Sequence, residues 1–293
     1  MKNVGFIGLG DMGSQMAMNL KKNGFQPIGF DLSESRMEAL REIGGATAAT
    51  CSDVGTYCDV AFVMVMNGTQ VKNVVRQLGE SMQPGSTIIV TATIHASEIR
   101  EAYAIAQEKG LEMIDSPVSG GLGGAQNATL TLMPAAKSSV LEANRPLLEA
   151  ISSNILYVGE QVGAGQTVKA SLQAYIGASF TAIFESLVLG AKAGVDGKVL
   201  FEVFGKSAAA SPLFNNCAKL ILDRKFEKTG SHIATMYKDL SITMAMAKEN
   251  GVPMFTTASA FELFQAGKTM YPEGDNWSIV KMLEKMADTK VEW

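Results

Sequence analysis

The stretch VGFIGLGDMGSQMAMNL, residues 4–20, crowds three glycines between an apolar run and an amphipathic one. Residues 4–7 read as a buried strand and 12–20 as a helix, so Gly8, Gly10 and Gly13 fall at a strand-to-helix turn. Each glycine then has a separate role. Gly8 permits the tight turn, Gly10 lets a ligand approach the backbone, and Gly13 lets helix and strand pack closely. The N–H groups at the helix start, with Met12 among them, would face a pyrophosphate. A GxGxxG by itself is weak, since packing alone also selects glycine-rich turns and a flavodoxin-like or methyltransferase turn has the same ingredients. The context favours a dinucleotide. A second short strand, 27–30, ends in Asp31, where such a fold places the acid that binds an adenosine ribose. Asp31 would accept both ribose hydroxyls and repel a 2′-phosphate, which predicts NAD over NADP. Ser33, Ser35 and Arg36 follow closely enough to cradle a phosphate if the loop turned.

From the start to about residue 160, short apolar strands alternate with helical stretches, the signature of βαβ units. After the first two, strands are expected at 60–66, 87–90, 112–114, 129–133 and 154–158. Beyond VGEQVGAG (158–165) the strand signal vanishes and the chain reads as helices, beginning with a long one to about residue 193. The fold class expected is α/β: a Rossmann-like N-terminal domain with a mostly parallel sheet, joined by a long central helix to an all-α C-terminal domain. The boundary falls near Val162, giving a dinucleotide-binding domain over 1–161 and an all-α domain over 162–293. Residues 175–195 approach membrane-span length, but Glu185 and several Gly and Ser residues favour a buried central helix. The helix is apolar around most of its circumference, which predicts a homodimer or homotetramer.

A formal charge of −4 without a Lys/Arg run argues against nucleic acid or an acidic membrane surface as partner. Cys51, Cys58 and Cys217 form no CxxC pair, so neither a disulfide framework nor a metal site is indicated. No basic segment followed by a long apolar run opens the chain, so no signal peptide is expected and the reading is cytoplasmic.

A second glycine cluster, DSPVSGGLGGAQ (115–126), follows a strand. Ser119, Gly120 and Gly121 could present backbone N–H groups and a hydroxyl to a small carboxylate; a mobile loop or hairpin turn is the alternative. An oxidoreductase also needs a group to move the hydroxyl proton. His95 lies just past a strand end and His232 in the helical part, and a histidine in either place is more often structural. GAGQTVKASLQ (163–173) instead places Lys169 and Gln173 four apart on one helical face. A desolvated lysine beside a cofactor cation can serve as acid/base, although a solvated helix lysine is the ordinary case.

GFIGLGDMGSQMAMNL, DSPVSGG, GAGQTVKASLQ and YKDLSITMAMAKENGVPM occur in the order and spacing of the β-hydroxyacid dehydrogenases, which the chain resembles along essentially its whole length. That family includes 3-hydroxyisobutyrate dehydrogenase, tartronate semialdehyde reductase, sulfolactaldehyde reductase and L-threonate dehydrogenase. The resemblance implies that Lys169 is the catalytic acid/base and that Ser119, Gly120 and Gly121 hold the substrate carboxylate. It also implies that Lys238 contacts the cofactor, and that Thr93, Met66 and Asn67 line its nicotinamide side. Two departures stand out. The family's usual pair of asparagines after the lysine is here Leu172 and Gln173, and its usual proline after the fourth strand is Met66. Gln173 still offers an amide to the substrate, and its burial would call for a polar partner. With ATI before His95, the chain is similar to the threonate branch, so a threonate-like sugar acid is the expected substrate. The alternatives are 3-hydroxyisobutyrate, a tartronate or sulfolactaldehyde semialdehyde, an imine, or NAD binding without turnover.

Overall fold

The computed structural model describes residues 2–293. The chain divides into two compact units, one ending at Lys169 and one running from Ala170 to Trp293.

In the first unit, β1 (Asn3–Ile7), β2 (Gln26–Phe30), β3 (Ala46–Thr47), β4 (Val60–Val63), β5 (Thr87–Val90) and β6 (Glu112–Asp115) form one sheet. Its order is β3-β2-β1-β4-β5-β6 and every pairing is parallel. Helices α1 (Asp11–Lys22), α2 (Glu34–Glu42), α3 (Cys51–Tyr57), α4 (Gly68–Gly79) and α5 (Ala96–Glu108) connect these strands. Side chains alternate faces along each strand, and both faces are buried, as a parallel sheet requires. Val4, Phe6, Val60, Phe62, Ile89 and Ile114 enter one core; Ile7, Ala61, Val63, Ile88, Val90 and Met113 enter the other. Phe6 and Phe62 stack with ring centroids 5.5 Å apart.

The strands expected at 129–133 and 154–158 form, but not in this sheet. They are β8 (Leu130–Leu132) and β9 (Ser152–Ile155), and with β7 (Val118–Ser119) they make a separate three-stranded sheet in the order β7-β8-β9. After β6 the chain folds back, so that Asp115 bridges Ala135 antiparallel and β7 pairs antiparallel with β8. The connection between β7 and β8 holds one short helix, α6 (Gly121–Gln126), and a parallel crossover would need a longer one. Helix α7 (Ser138–Glu149) supplies such a crossover between β8 and β9, which are parallel.

Helix α8 (Ala164–Lys192) begins in the first unit and continues into the second. There follow α9 (Gly197–Gly205), α10 (Pro212–Leu222), α11 (Ile233–Glu249), α12 (Phe255–Met270), a 3-10 turn at Asn276–Ile279 and α13 (Val280–Ala287). Phe180, Phe184, Phe264 and Trp277 centre the helical core, with Phe180 stacked on Phe184 and edge-on to Trp277 at 5.8 Å. The expectation of a buried central helix holds on one side only. Phe184 and Leu187 are fully buried, whereas Tyr175 and Leu189 are 68% and 71% exposed. Helix α8 is long and apolar enough to cross a membrane by length and composition, yet its aromatic side belongs to this packed helical core. Cys51, Cys58 and Cys217 are buried free thiols.

The first turn explains its glycines by contact. Gly8 has φ +93°, its N–H donates to the Phe30 carbonyl at 3.0 Å, and a Cβ there would lie 2.3 Å from the Met64 carbonyl oxygen. A Cβ on Gly13 would lie 2.0 Å from the Gly8 carbonyl oxygen. Neither obstacle is a flexible side chain, so the backbone itself must move. Gly13→Ala is expected to destabilise the protein by about 1–3 kcal/mol, read as a fall of several degrees in Tm. A variant that melts with the wild type would mean that α1 can back away from β1 freely.

Candidate active site

The strand order reverses between β1 and β4, so the loops leaving their C-terminal ends diverge and open a crevice. Helix α1 starts there. Its N-cap Gly10 brings no side-chain acceptor, so no cap side chain competes with an anion at this helix start. The flank of Gly10 is open, with the Arg36 guanidinium 3.9 Å from where a Cβ would be. Met12 is partly buried against the core. Asp31 follows β2. Its Oδ2 accepts from the Leu9 N–H at 2.7 Å and its Oδ1 from the Ser33 N–H at 2.9 Å, with Arg36 3.5 Å away. A glycine-lined helix start and a carboxylate held rigidly beside it fit the pyrophosphate and ribose of a dinucleotide.

Past β4, Met66 is exposed and its N–H donates to Gln70 Oε1 at 2.9 Å. Asn67 caps α4, its Oδ1 accepting from the Gln70 N–H at 2.9 Å, so its side chain is engaged within the protein. Past β5, Thr93 stands in the segment leading to α5. His95, a candidate proton carrier by its position, is the N-cap of that helix. Its Nδ1 accepts from the Ser97 N–H at 3.2 Å while Glu98 accepts from the His95 N–H at 3.1 Å. His232 precedes α11 and lies 3.3 Å from buried Asp275. Both histidines thus have structural employment.

The end of β6 shapes the remaining part of the first unit. Asp115 is fully buried. Its Oδ2 accepts from the Gly163 N–H at 2.8 Å and the Gln166 N–H at 3.4 Å, and its Oδ1 from Gln166 Nε2 at 2.8 Å. A carboxylate at this position satisfies N–H groups that the first turn of α8 would otherwise leave unpaired. Burial pushes the Asp115 carboxyl up to about 6, against the pull of those hydrogen bonds. The same turn presses on backbone: a Cβ at Gly165 would lie 2.6 Å from the Met133 carbonyl oxygen and 2.8 Å from that of Asp115. One turn along stands Lys169, 6% exposed. The glycine cluster after β6 is a hairpin connection: Ser119 ends β7, and Gly120 and Gly121, with φ +127° and +60°, turn the chain into α6. The hairpin turn, one of the two readings of that cluster, is therefore what forms, with Ser119, Gly120 and Gly121 at the turn.

In the second unit, Gln173 is 7% exposed, and its partner is a residue that the sequence did not single out. Its Nε2 donates to Asp239 Oδ2 at 2.6 Å, and Lys238 Nζ pairs with Asp239 Oδ1 at 2.9 Å. The polar partner that burial of the Gln173 amide calls for is thus supplied, at its nitrogen, by Asp239. Asp115, Gln166 and Asp239 all lie inside motifs quoted from the sequence, each beside or within one turn of a residue given a role. Only Asp115 carries a signal of its own, a carboxylate directly after apolar Met113 and Ile114; Gln166 beside Thr167 and Asp239 beside Lys238 stand among polar neighbours.

Comparison with known proteins agrees with this geometry. Residues 3–159 match the family described as the NAD binding domain of 6-phosphogluconate dehydrogenase, and 163–283 that described as the NAD-binding of NADP-dependent 3-hydroxyisobutyrate dehydrogenase. The chain is 32% identical to 2-(hydroxymethyl)glutarate dehydrogenase of Eubacterium barkeri, covering 98% of this chain and 97% of that one. It is 30% identical to an L-threonate dehydrogenase of Escherichia coli, over 96% and 94%. Among solved structures, a 3-hydroxyisobutyrate dehydrogenase of Mycobacterium tuberculosis with L-serine superposes with a TM-score of 0.89 at 26% identity, over 97% and 99%.

Asp115 gives a pH signature. Its folded value of about 6 exceeds the ordinary 3.8, so the folded chain binds this proton more tightly than the unfolded one. That contribution is complete below the unfolded value and is lost as pH rises through the folded one, on the order of 3 kcal/mol at 1.36 kcal/mol per pH unit. Asp115→Asn removes it. Denaturant unfolding at pH 4 and pH 7 should show the variant gaining stability relative to wild type at the higher pH. A difference between the two proteins that is the same at both pH values would contradict the assignment.

Proposed function

Because the chain belongs to the β-hydroxyacid dehydrogenases, NAD-dependent oxidoreductases of small hydroxy acids, we propose that Lys169 moves the hydroxyl proton in that reaction. The observation that carries this is a nearly buried lysine on the first turns of α8, where Gln166 accepts from Ile94 past β5 and Gly163 donates to Asp115 at the end of β6. Bound nicotinamide dinucleotide supplies the two-electron acceptor at ring C4. Gly8, Gly10, Met12 and Gly13 hold its pyrophosphate and Asp31 its adenosine ribose. Met66, Asn67 and Thr93 line the nicotinamide side, Asn67 through its backbone, and Lys238 is a further cofactor contact. Ser119, Gly120 and Gly121 fix the substrate carboxylate through a hydroxyl and backbone N–H groups. Lys169 then accepts the hydroxyl proton as the carbon is oxidised, and returns it in reduction. In this reading 1–161 is the dinucleotide-binding domain and 162–293 the all-α domain.

Gln173 supports a substrate rich in hydroxyls. Asp239 engages its amide nitrogen, and its carbonyl oxygen is then the atom suited to a hydroxyl donor. A four-carbon sugar acid of the threonate type answers that better than methyl-bearing 3-hydroxyisobutyrate, and the relative named L-threonate dehydrogenase is consistent with it. Exposed Tyr175 and Leu189 on α8 support a homodimer or homotetramer, and the buried thiols suit the reducing cytoplasm.

Oxidation by NAD of L-threonate, D-threonate, glycerate, 3-hydroxyisobutyrate, serine and dihydroxypropanesulfonate, ranked by kcat/KM, tests the reading. A threonate should lead, and Lys169→Ala should lower kcat by several powers of ten while NADH binding stays intact. A tenfold lead for 3-hydroxyisobutyrate defeats the argument from Gln173; near wild-type turnover in Lys169→Ala defeats the role of the lysine.

Asp31 supports NAD over NADP, because both its oxygens face backbone N–H groups at the ribose end and its charge repels a 2′-phosphate. Asp31→Asn should shift the ratio of kcat/KM values toward NADP, with Arg36 beside it to receive the phosphate. A wild-type enzyme that already prefers NADP would overturn this.

A further inference from the structure

Gln166 is 1% exposed, and both N–H donors and the oxygen of its carboxamide are engaged. The Nε2 donates to Asp115 Oδ1 at 2.8 Å and to the Ala92 carbonyl at 3.1 Å; the Oε1 accepts from the Ile94 N–H at 3.0 Å. Two of these partners flank Thr93 on either side. The third is the carboxylate that caps α8. On the helix itself Gln166 precedes Lys169 by one turn and shares its face. Three chain segments that are distant in sequence meet on one planar group, and all lie within the first unit.

We infer that Gln166 is a positioning residue, which fixes the backbone around Thr93 against the helical turn that carries Lys169. This rests on Lys169 being the acid/base and on Thr93 lining the nicotinamide. Under that reading, Gln166 sets the spacing between the lysine nitrogen that takes up the proton and the ring that receives the electron pair. No smaller polar group spans the three partners, and an apolar side chain would leave three buried groups unpaired. A helix anchored by Asp115 alone could still rock about that one point; the second attachment, to 92–94, removes the freedom.

The test uses Gln166→Glu, which keeps the shape but turns two donated hydrogen bonds into oxygen facing oxygen, and the double variant Asp115→Asn/Gln166→Glu. In the double variant the amide introduced at position 115 donates to the carboxylate introduced at position 166, and one carboxylate remains as in wild type. Hydrogen exchange monitored over 91–95 and 163–170 reads the joint directly, without any substrate. In Gln166→Glu exchange there should rise at least tenfold above the change elsewhere, and the double variant should recover part of the protection. With the best acid of the panel, kcat should fall about a hundredfold with NADH affinity within about threefold of wild type. The kinetic isotope effect with C4-deuterated NADH in the reverse reaction should grow, and the double variant should regain at least tenfold in kcat. A purely structural role would lower kcat in proportion to folded protein and leave the isotope effect unmoved; that result, or a uniform rise in exchange, overturns the inference. If wild type oxidises none of the acids, the functional reading fails, and the exchange pattern alone still decides whether Gln166 joins these segments.

Discussion

A carboxylate sealed inside the protein at the end of β6 is the interaction on which the site hangs. Asp115 accepts two backbone N–H groups and one side-chain amide from the start of α8, so the first turn of that helix takes its position from the edge of a parallel sheet. Burying a charge there is costly unless the donors are supplied together. The sequence supplies them in one short run, Gly163, Gln166 and the tightly packed Gly165 between them. The chemistry assigned to Lys169 is thereby tied to the same sheet that presents the nucleotide turn. Both depend on strands ending in register.

The parts of this architecture that are legible in the sequence are those whose causes are local. A strand, three glycines and a helix occupy fewer than twenty residues, and Gly8 and Gly13 answer to backbone atoms in the same turn or just past the neighbouring strand. The alternation of apolar runs marks the main sheet for the same reason. Strands β3 and β7, two residues each, are too short to have a period, and their pairing depends on what lies beside them. The departure of β8 and β9 into a sheet of their own turns on how the chain folds back after Asp115, which no periodicity records.

The site divides along the same line. Lys169, Asp31 and the glycine clusters stand in motifs and are legible there. Asp115 and Gln166 are 51 residues apart, and Gln173 and Asp239 66, so each pair becomes visible only when the chain is folded. Gln173 is the instructive case. Its burial demands a partner, but a sequence cannot say whether that partner belongs to the protein or to the ligand. His95 teaches the converse: at a strand's end it has the position of a catalytic residue, and the helix that follows needs a cap.

The three cysteines have a practical meaning. Burial raises the Cys51 thiol to about 11 and the Cys58 thiol to about 12, and pushes that of Cys217 up as well. At neutral pH they stay as thiols, and it is the thiolate that attacks alkylating reagents and peroxides. A cysteine introduced on the surface would therefore react far ahead of the native three. Fluorophores or spin labels can be attached at a chosen site while the native side chains, and the packing they complete, remain in place.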